Sequence, residues 1–154
     1  MLTVRQVANY FLSQVDAEVG DSLSNLKLQK LVCYAQGFHL AINGEKLFPE
    51  EIQAWEHGPV VPSLYRQFRQ HGAEPIPPPE NGIFLDDYPK DIRDLLDEVT
   101  SVYGQFSASK LRNMTHEETP WKEAYTLAPS TAISELTMRD YFSTLLTPAS
   151  TSQA

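Results

Sequence analysis

Residues 25–42 predict a helix with apolar side chains on nearly every side, and this pattern leaves little freedom in how the chain folds. A helix that is apolar all round lies in the centre of a domain. Ser24 is placed to cap its N-terminus, and Asn43 and Gly44 can adopt the left-handed backbone conformation that ends a helix. The apolar positions are Leu26, Leu28, Leu31, Val32, Cys33, Tyr34, Ala35, Phe38, Leu40, Ala41 and Ile42.

About six further helices are predicted to pack around this central helix. The first covers residues 4–15, with Thr3 and Gln6 placed to form a capping box at its N-terminus. The last begins at Ser134 or Thr137, and the pattern leaves that choice open. The others are predicted at 62–72, 90–105, 107–114 and from Trp121 onward. The predicted fold class is therefore mainly α, with a single compact domain.

A short β-hairpin is predicted near residues 46–57. Its strands are 46–48 and 52–55, and the loop 49–51 that joins them has a length suited to a hairpin. Gly58 and Pro59 are expected to end the second strand, and Pro62 suits the first position of the next helix. Alternation in the second strand places Ile52 and Ala54 on one face and Gln53, Trp55 and His57 on the other.

Two segments are predicted to lie outside the helices and strands. Five of the 11 prolines fall within residues 73–89, which indicates a stiff, extended surface loop. The polar residues 147–154 are predicted to form a disordered tail. The domain is therefore expected to cover residues 1–146.

The composition is typical of a soluble globular protein, with 154 residues, 42% of them hydrophobic and 21% charged. No window reaches the roughly 18 consecutive apolar residues of a membrane span. The N-terminus lacks the charged and apolar blocks of a signal peptide. Cys33 is the single cysteine, which excludes an intramolecular disulfide. We therefore expect a cytoplasmic protein with no membrane partner.

The net charge of −8 argues against nucleic acid as the main partner. Non-specific binding to DNA or RNA depends on clustered cations, whereas the 12 lysines and arginines here are scattered among 20 acidic residues. An acidic chain suits a basic partner protein, and a solvated acidic surface explains the same charge equally well.

No residue pattern predicts a metal site, a catalytic site or a cofactor. His39, His57, His71 and His116 lack a close ligand pair, and neither Cys-x-x-Cys nor His-Glu-x-x-His occurs. Cys33 with His57 or His116 is the one pair suited to nucleophilic catalysis, but a thiol in a buried helix is typically inert. We expect no catalytic residue, no metal and no cofactor.

Several aromatic and histidine side chains fit either a structural or a binding role. His57 and His116 lie beside breaks in the chain, where a ring nitrogen can bond a backbone group and hold a turn. Trp121 is interpreted as a core anchor. Trp55 and Tyr34 fit core packing or an interface, because aromatic residues dominate both. The candidate partner-binding residues are Tyr34, Gln53, Trp55, His57 and Tyr65.

Four sequence segments together resemble a known family. They are Lys-Leu-Gln-Lys-Leu at 27–31, Tyr-Ala-Gln-Gly-Phe-His at 34–39, Ala-Trp-Glu-His-Gly-Pro-Val-Val-Pro at 54–62, and 115–121 with its Thr-His and Pro-Trp pairs. Their order and spacing are similar to the Panacea domain of SocA-like and phage-associated GepA-like antitoxins, over about residues 2–146. The matching residues interpreted as a structural motif are Leu28, Leu31, Gly58, Pro59, Pro62, His116, Pro120 and Trp121.

The resemblance implies an antitoxin of a bacterial or prophage toxin–antitoxin pair. Such a protein neutralises its cognate toxin by direct protein–protein binding, without catalysis. One alternative is an adaptor that delivers a partner protein to an ATP-dependent cytoplasmic protease, and another is an enzyme that uses His57 or His116. Many antitoxins carry a separate DNA-binding module, but this chain begins at the domain itself, so no nucleic-acid partner is expected of it alone.

Overall fold

The computed structural model describes residues 1–15 and 22–146 of the chain. The predicted tail at 147–154 lies outside them. Within the described residues the domain is mainly α-helical, as predicted, with one small antiparallel sheet. The helices are α1 Val4–Ser13, α2 Asn25–Asn43, α3 Pro62–Phe68, α4 Lys90–Tyr103, α5 Ala108–His116, α6 Thr119–Leu127 and α7 Glu135–Leu145. The strands are β1 Gln53–Trp55, β2 Gly58–Val60 and β3 Thr131–Ala132.

Helix α2 is the centre of the domain, as its apolar circumference predicted. It contacts α1, α3, α4, α5, α7 and β2. The Ser24 side chain caps it by accepting a hydrogen bond from the Lys27 N–H. Gly44, with a φ of 72°, ends it in the left-handed conformation. The prediction of a buried central helix is therefore confirmed.

The predicted caps of the outer helices are also present. Thr3 and Gln6 form the capping box of α1. The start of α7, which the sequence left open, is set by Ser134, whose side chain accepts from the Thr137 N–H at 3.2 Å. Helix boundaries differ from the predictions by a few residues. For example, α1 ends at Ser13 where residue 15 was predicted, and α4 ends at Tyr103 where residue 105 was predicted.

The predicted position of the hairpin is wrong in one of its two strands. β1 does form, but it pairs with β2 through a turn at Glu56 and His57, and residues 46–48 are not a strand. Gly58 and Pro59 therefore begin a strand and do not merely end one. β3 pairs with the other edge of β1, which gives the sheet order β2-β1-β3. Ile52 and Ala54 lie on one face, as alternation predicted, and the structure shows that this face is the buried one.

Residues 73–89 form an irregular connection, as the prolines predicted. Two of its features were not predicted. Ile76 and Tyr88 are buried, so the segment is attached to the core at both ends. A 3-10 turn at Leu85–Asp87 breaks the extended path. The Tyr88 hydroxyl donates to the Gln6 carbonyl oxygen at 2.7 Å, which ties this connection to α1.

Buried amide side chains of α2 hold the irregular segments next to it. The Gln36 carbonyl oxygen accepts from the Leu47 N–H at 2.7 Å, and its amide donates to the Phe48 carbonyl at 2.8 Å. The Gln29 carbonyl oxygen accepts from the Val61 N–H at 2.9 Å. Both glutamines are almost fully buried. They therefore give backbone groups outside regular structure the partners that burial requires.

The closest helix packing, between α2 and α7, depends on Gly37. A Cβ at this position would overlap the ring of Phe142. Gly37→Ala is therefore expected to lower the free energy of unfolding by about 1–3 kcal/mol, the usual cost of overpacking. Urea unfolding checks the value. In a Phe142→Leu background the same substitution should cost less, and an unchanged or increased stability of Gly37→Ala alone would contradict this packing.

Candidate partner-binding site

Trp121 joins the β1–β2 hairpin to α6. Its indole N–H donates to the Trp55 carbonyl oxygen at 2.7 Å. Its ring lies between two others, with centroids 4.0 Å from His116 and 4.6 Å from Tyr125, both nearly parallel to it. Trp121 is half-buried, and the carbonyl of Trp55 supplies the acceptor that its indole N–H needs. The position of the hairpin thus depends on the Pro-Trp segment far along the chain.

His116 connects α5 to the turn of the same hairpin. Its ring shares a hydrogen bond with the backbone of Glu56. Burial, together with the positive charge of Arg112, lowers the pKa of His116 below its ordinary value. Its Nε2 is buried and has no hydrogen-bond partner within the described residues. His57, by contrast, is exposed in the turn.

Gly58 is a position where the fold admits no side chain. Its φ is 112°, a conformation that residues with a Cβ rarely adopt. A Cβ here would also lie 2.5 Å from Lys30 Cε and 2.8 Å from Thr115 Oγ1. The hairpin backbone therefore passes directly against the side chains of α2 and α5.

Lys30 is a buried cation beneath the hairpin. It is fully buried, and its ammonium group donates to the Pro59 carbonyl oxygen at 3.2 Å. Within the described residues it forms no ion pair. Burial, which disfavours the charged form, lowers the pKa of Lys30 to about 8.

A half-buried carboxyl group, Glu118, lies on the other side of the same region. Its Oε2 accepts from the Tyr34 hydroxyl at 3.0 Å. Burial raises the pKa of Glu118 to about 7, and the Tyr34 hydrogen bond partly opposes that change. Burial also raises the pKa of Tyr34. Near neutral pH both the neutral and the charged form of Glu118 are therefore populated, whereas Tyr34 stays neutral.

A small cavity separates these polar groups. Its volume of ≈ 20 Å³ leaves room for about one water molecule. Cys33 also lines it, and burial raises the pKa of this thiol to about 12. Because the thiolate is the reactive form, Cys33 is not an activated nucleophile. The lining carries polar groups but no assembled catalytic pair.

The outer face of the hairpin carries a second group of aromatic residues. The rings of Trp55 and Tyr65 meet edge to face, with centroids 5.1 Å apart. The Trp55 indole N–H donates to Gln53 Oε1 at 3.0 Å. Trp55, Tyr65 and Gln53 are all half-buried, and His57 lies in the adjoining turn. We call these four residues the aromatic face.

The structure thus brings together four of the five residues predicted to bind a partner. The fifth, Tyr34, lies in the interior at 2% exposure, stacked on Tyr103 with centroids 3.9 Å apart. It has almost no surface to offer a partner, so we leave it out of the site. Of the residues interpreted as a structural motif, Pro59, Pro120 and Trp121 line the small cavity between α2, the hairpin and α6, whereas Leu31 faces a pocket beside α1 and α4.

The sequence interpretation missed the polar pair Lys30 and Glu118. Lys30 carries a signal that could have been used, because apolar residues of a central helix flank it on every side, although Lys27 of the same helix is only half-buried. Glu118 gave no such signal, since it follows the equally acidic Glu117, which is exposed.

Two further findings concern the described residues alone: no three potential ligands lie close enough to hold a metal ion, and no helix is long and apolar enough to cross a membrane.

Comparison with known proteins gives two matches. Residues 28–122, which include the hairpin and Trp121, match the family described as "Antitoxin SocA-like, Panacea domain". The chain is also 33% identical over 127 residues to Antitoxin SocA of Caulobacter vibrioides (strain NA1000 / CB15N), a match that covers 76% of this chain and 67% of the relative. No solved structure matches the chain. The protein therefore belongs to the SocA-like antitoxin family with a Panacea domain.

Glu118→Gln is expected to gain stability relative to the wild type as the pH rises from about 4.5 to about 7. The fold raises the pKa of Glu118, so it favours the neutral carboxyl. The stabilising contribution is then complete below the unfolded pKa and is lost as the pH rises through the folded one. Glutamine stays neutral and still accepts from the Tyr34 hydroxyl.

Urea unfolding of both proteins near the two ends of this pH range checks the prediction. Glu117→Gln is the matched control, because it removes the same charge at the exposed neighbouring position. A stability difference between Glu118→Gln and the wild type that stays constant with pH would show that this carboxyl is not held neutral by the fold.

Proposed function

We propose that this protein is an antitoxin that neutralises its cognate toxin by direct binding, and that the aromatic face contacts the toxin. Membership of the SocA-like family supports the antitoxin role. The observation that carries the choice of surface is the pair of Trp55 and Tyr65, half-exposed and in edge-to-face contact. Tryptophan and tyrosine are enriched among the residues that contribute most to protein–protein binding.

The aromatic face is held rigidly, which favours binding. The carbonyl of Trp55 accepts from Trp121, and the carbonyl of Tyr65 accepts from the buried Asn25 side chain at 3.1 Å. The Trp55 ring is fixed in turn by its hydrogen bond to Gln53. A surface that is ordered before binding loses less conformational entropy when a partner docks. These contacts support a role in which the protein binds a partner through a preformed surface and does not catalyse a reaction.

The proposed activity is not catalytic. The Cys33 thiol is buried with a raised pKa, and His116 is stacked on Trp121 and tied to the backbone of Glu56. His57 is exposed, whereas the Cys33 thiol is buried. Binding therefore accounts for the arrangement of these groups better than an enzymatic reaction does.

Trp55→Ala is expected to weaken binding of the toxin by about 2 kcal/mol, the loss typical of an interface hot spot. Its effect on the melting temperature should be small, because the ring is half-exposed and the backbone bond to Trp121 does not need the side chain. Calorimetric titration with the product of the adjacent gene, beside a melting curve, measures both. Growth during co-expression reports neutralisation.

Phe84→Ala is the matched control, because Phe84 is 77% exposed and lies on the connection before α4. It should bind the toxin like the wild type. A Trp55→Ala variant that melts much earlier but binds normally once folded would assign Trp55 to the core. If the wild-type protein neither binds the adjacent gene product nor relieves its toxicity, the proposed function is wrong.

A further inference from the structure

A groove runs beside the sheet, between the segment that precedes β1 and the start of α7. Its volume is ≈ 660 Å³, within the range of roughly 300–1,000 Å³ typical of ligand pockets. The floor consists of the apolar residues Ile52, Ile133 and Met138, all nearly buried. Leu136, 57% exposed, forms part of its wall. The space is large enough for several side chains of another protein.

The rim of this groove is acidic. Glu50, Glu51 and Glu135 line it, against one cation, Lys46. Lys46 is already engaged, because its ammonium lies 3.0 Å from Glu135 Oε1 and donates to the Pro49 carbonyl oxygen at 3.1 Å. We call the space bounded by these residues and the apolar floor the acidic groove. Its charge has the same sign as that of the whole chain, −8.

The acidic groove adjoins the aromatic face through a chain of hydrogen bonds. Gln53 donates to Glu51 Oε2 at 2.8 Å on the groove side and accepts from the Trp55 indole on the other. Ala132, on the strand paired with β1 opposite Gln53, lines the groove as well. One partner can therefore cover both surfaces without a gap between them.

We propose that the acidic groove receives a basic segment of the toxin, with a large apolar side chain on the floor and lysine or arginine side chains at the rim. The inference rests on the proposed function and specifies the chemistry of the partner. Exposed Leu136 provides apolar surface to bury, the nearly buried floor residues offer an apolar base for a side chain to pack against, and the three glutamates complement positive charge. Such charges also speed association, because they attract the partner before contact.

The test replaces the rim charges and measures binding of the adjacent gene product at low and high salt. The triple variant Glu50→Gln, Glu51→Gln, Glu135→Gln keeps the hydrogen-bond acceptors and removes the charge. It should bind about tenfold more weakly and depend less on salt. The control Glu74→Gln, Asp86→Asn, Glu98→Gln removes the same charge at exposed positions away from the groove and should bind like the wild type. Lys46→Met should bind more tightly than the wild type.

A synthetic peptide of alternating lysine and leucine tests, independently of the toxin, whether the acidic groove binds a basic segment. Binding is detected by changes in the chemical shifts of the backbone amides. Shifts concentrated at residues 50–53 and 132–136, absent in the triple variant and absent with a glutamate–leucine peptide, support the inference. If the toxin binds the wild type and the triple variant equally, the groove inference is wrong and the proposed function stands. If the toxin does not bind at all, the proposed function fails. Peptide shifts that spread over the whole acidic surface would separately overturn the groove inference.

Discussion

The hydrogen bonds from buried side chains of α2 to the backbone around it are the constraint on which the other features depend. Gln36 holds residues 47 and 48, Gln29 holds the exit of β2 at Val61, and Lys30 holds Pro59. Without them, these backbone groups would be buried without partners, at about 1–3 kcal/mol each. They determine where the three-residue strands lie, because strands this short have few ladder hydrogen bonds of their own. The aromatic face occupies its position for the same reason.

The same region buries two ionisable groups, and in each the fold shifts the pKa in the direction that favours the neutral form. Lys30 has a lowered pKa and Glu118 a raised one, in both cases chiefly through burial. At neutral pH the ammonium form of Lys30 still predominates, and its hydrogen bond to the Pro59 carbonyl oxygen offsets part of the free energy needed to bury that charge. Gly58 completes the arrangement, since a side chain there would overlap Lys30. The two motif segments at 54–62 and 115–121 thus form one packed unit with the central helix.

The sequence predicts the helical part of this domain well, because the signals there are local. The apolar circumference of α2 and the caps Thr3 and Ser24 needed no knowledge of distant residues. The hairpin could not be placed in the same way. Residues 46–48 are apolar enough to suggest a strand, but the Gln36 side chain and the Leu2 N–H bond the backbone of Leu47 and Phe48. β2 begins with glycine and proline, which usually argue against a strand.

The candidate site was predictable only in part for a related reason. Alternation correctly placed Ile52 and Trp55 on opposite faces, but it did not decide which face is buried; the structure buries Ile52 and leaves Trp55 half-exposed. Tyr34 could not be assigned, because a helix that is apolar on all sides has no face pattern to read. The acidic groove combines Glu50 with Glu135, which are distant in sequence and meet through the pairing of β1 with β3.

Amide hydrogen exchange of the protein, free and bound to the product of the adjacent gene, tests directly whether the hairpin held by α2 is the toxin-binding surface. Binding is expected to slow exchange at the hairpin, residues 53–60, and at residues 130–136 beside the groove. Exchange in α4, on another side of α2, should not change. Slower exchange confined to α1 and α4, with the hairpin unaffected, would contradict the claim that the hairpin held by α2 is the toxin-binding surface.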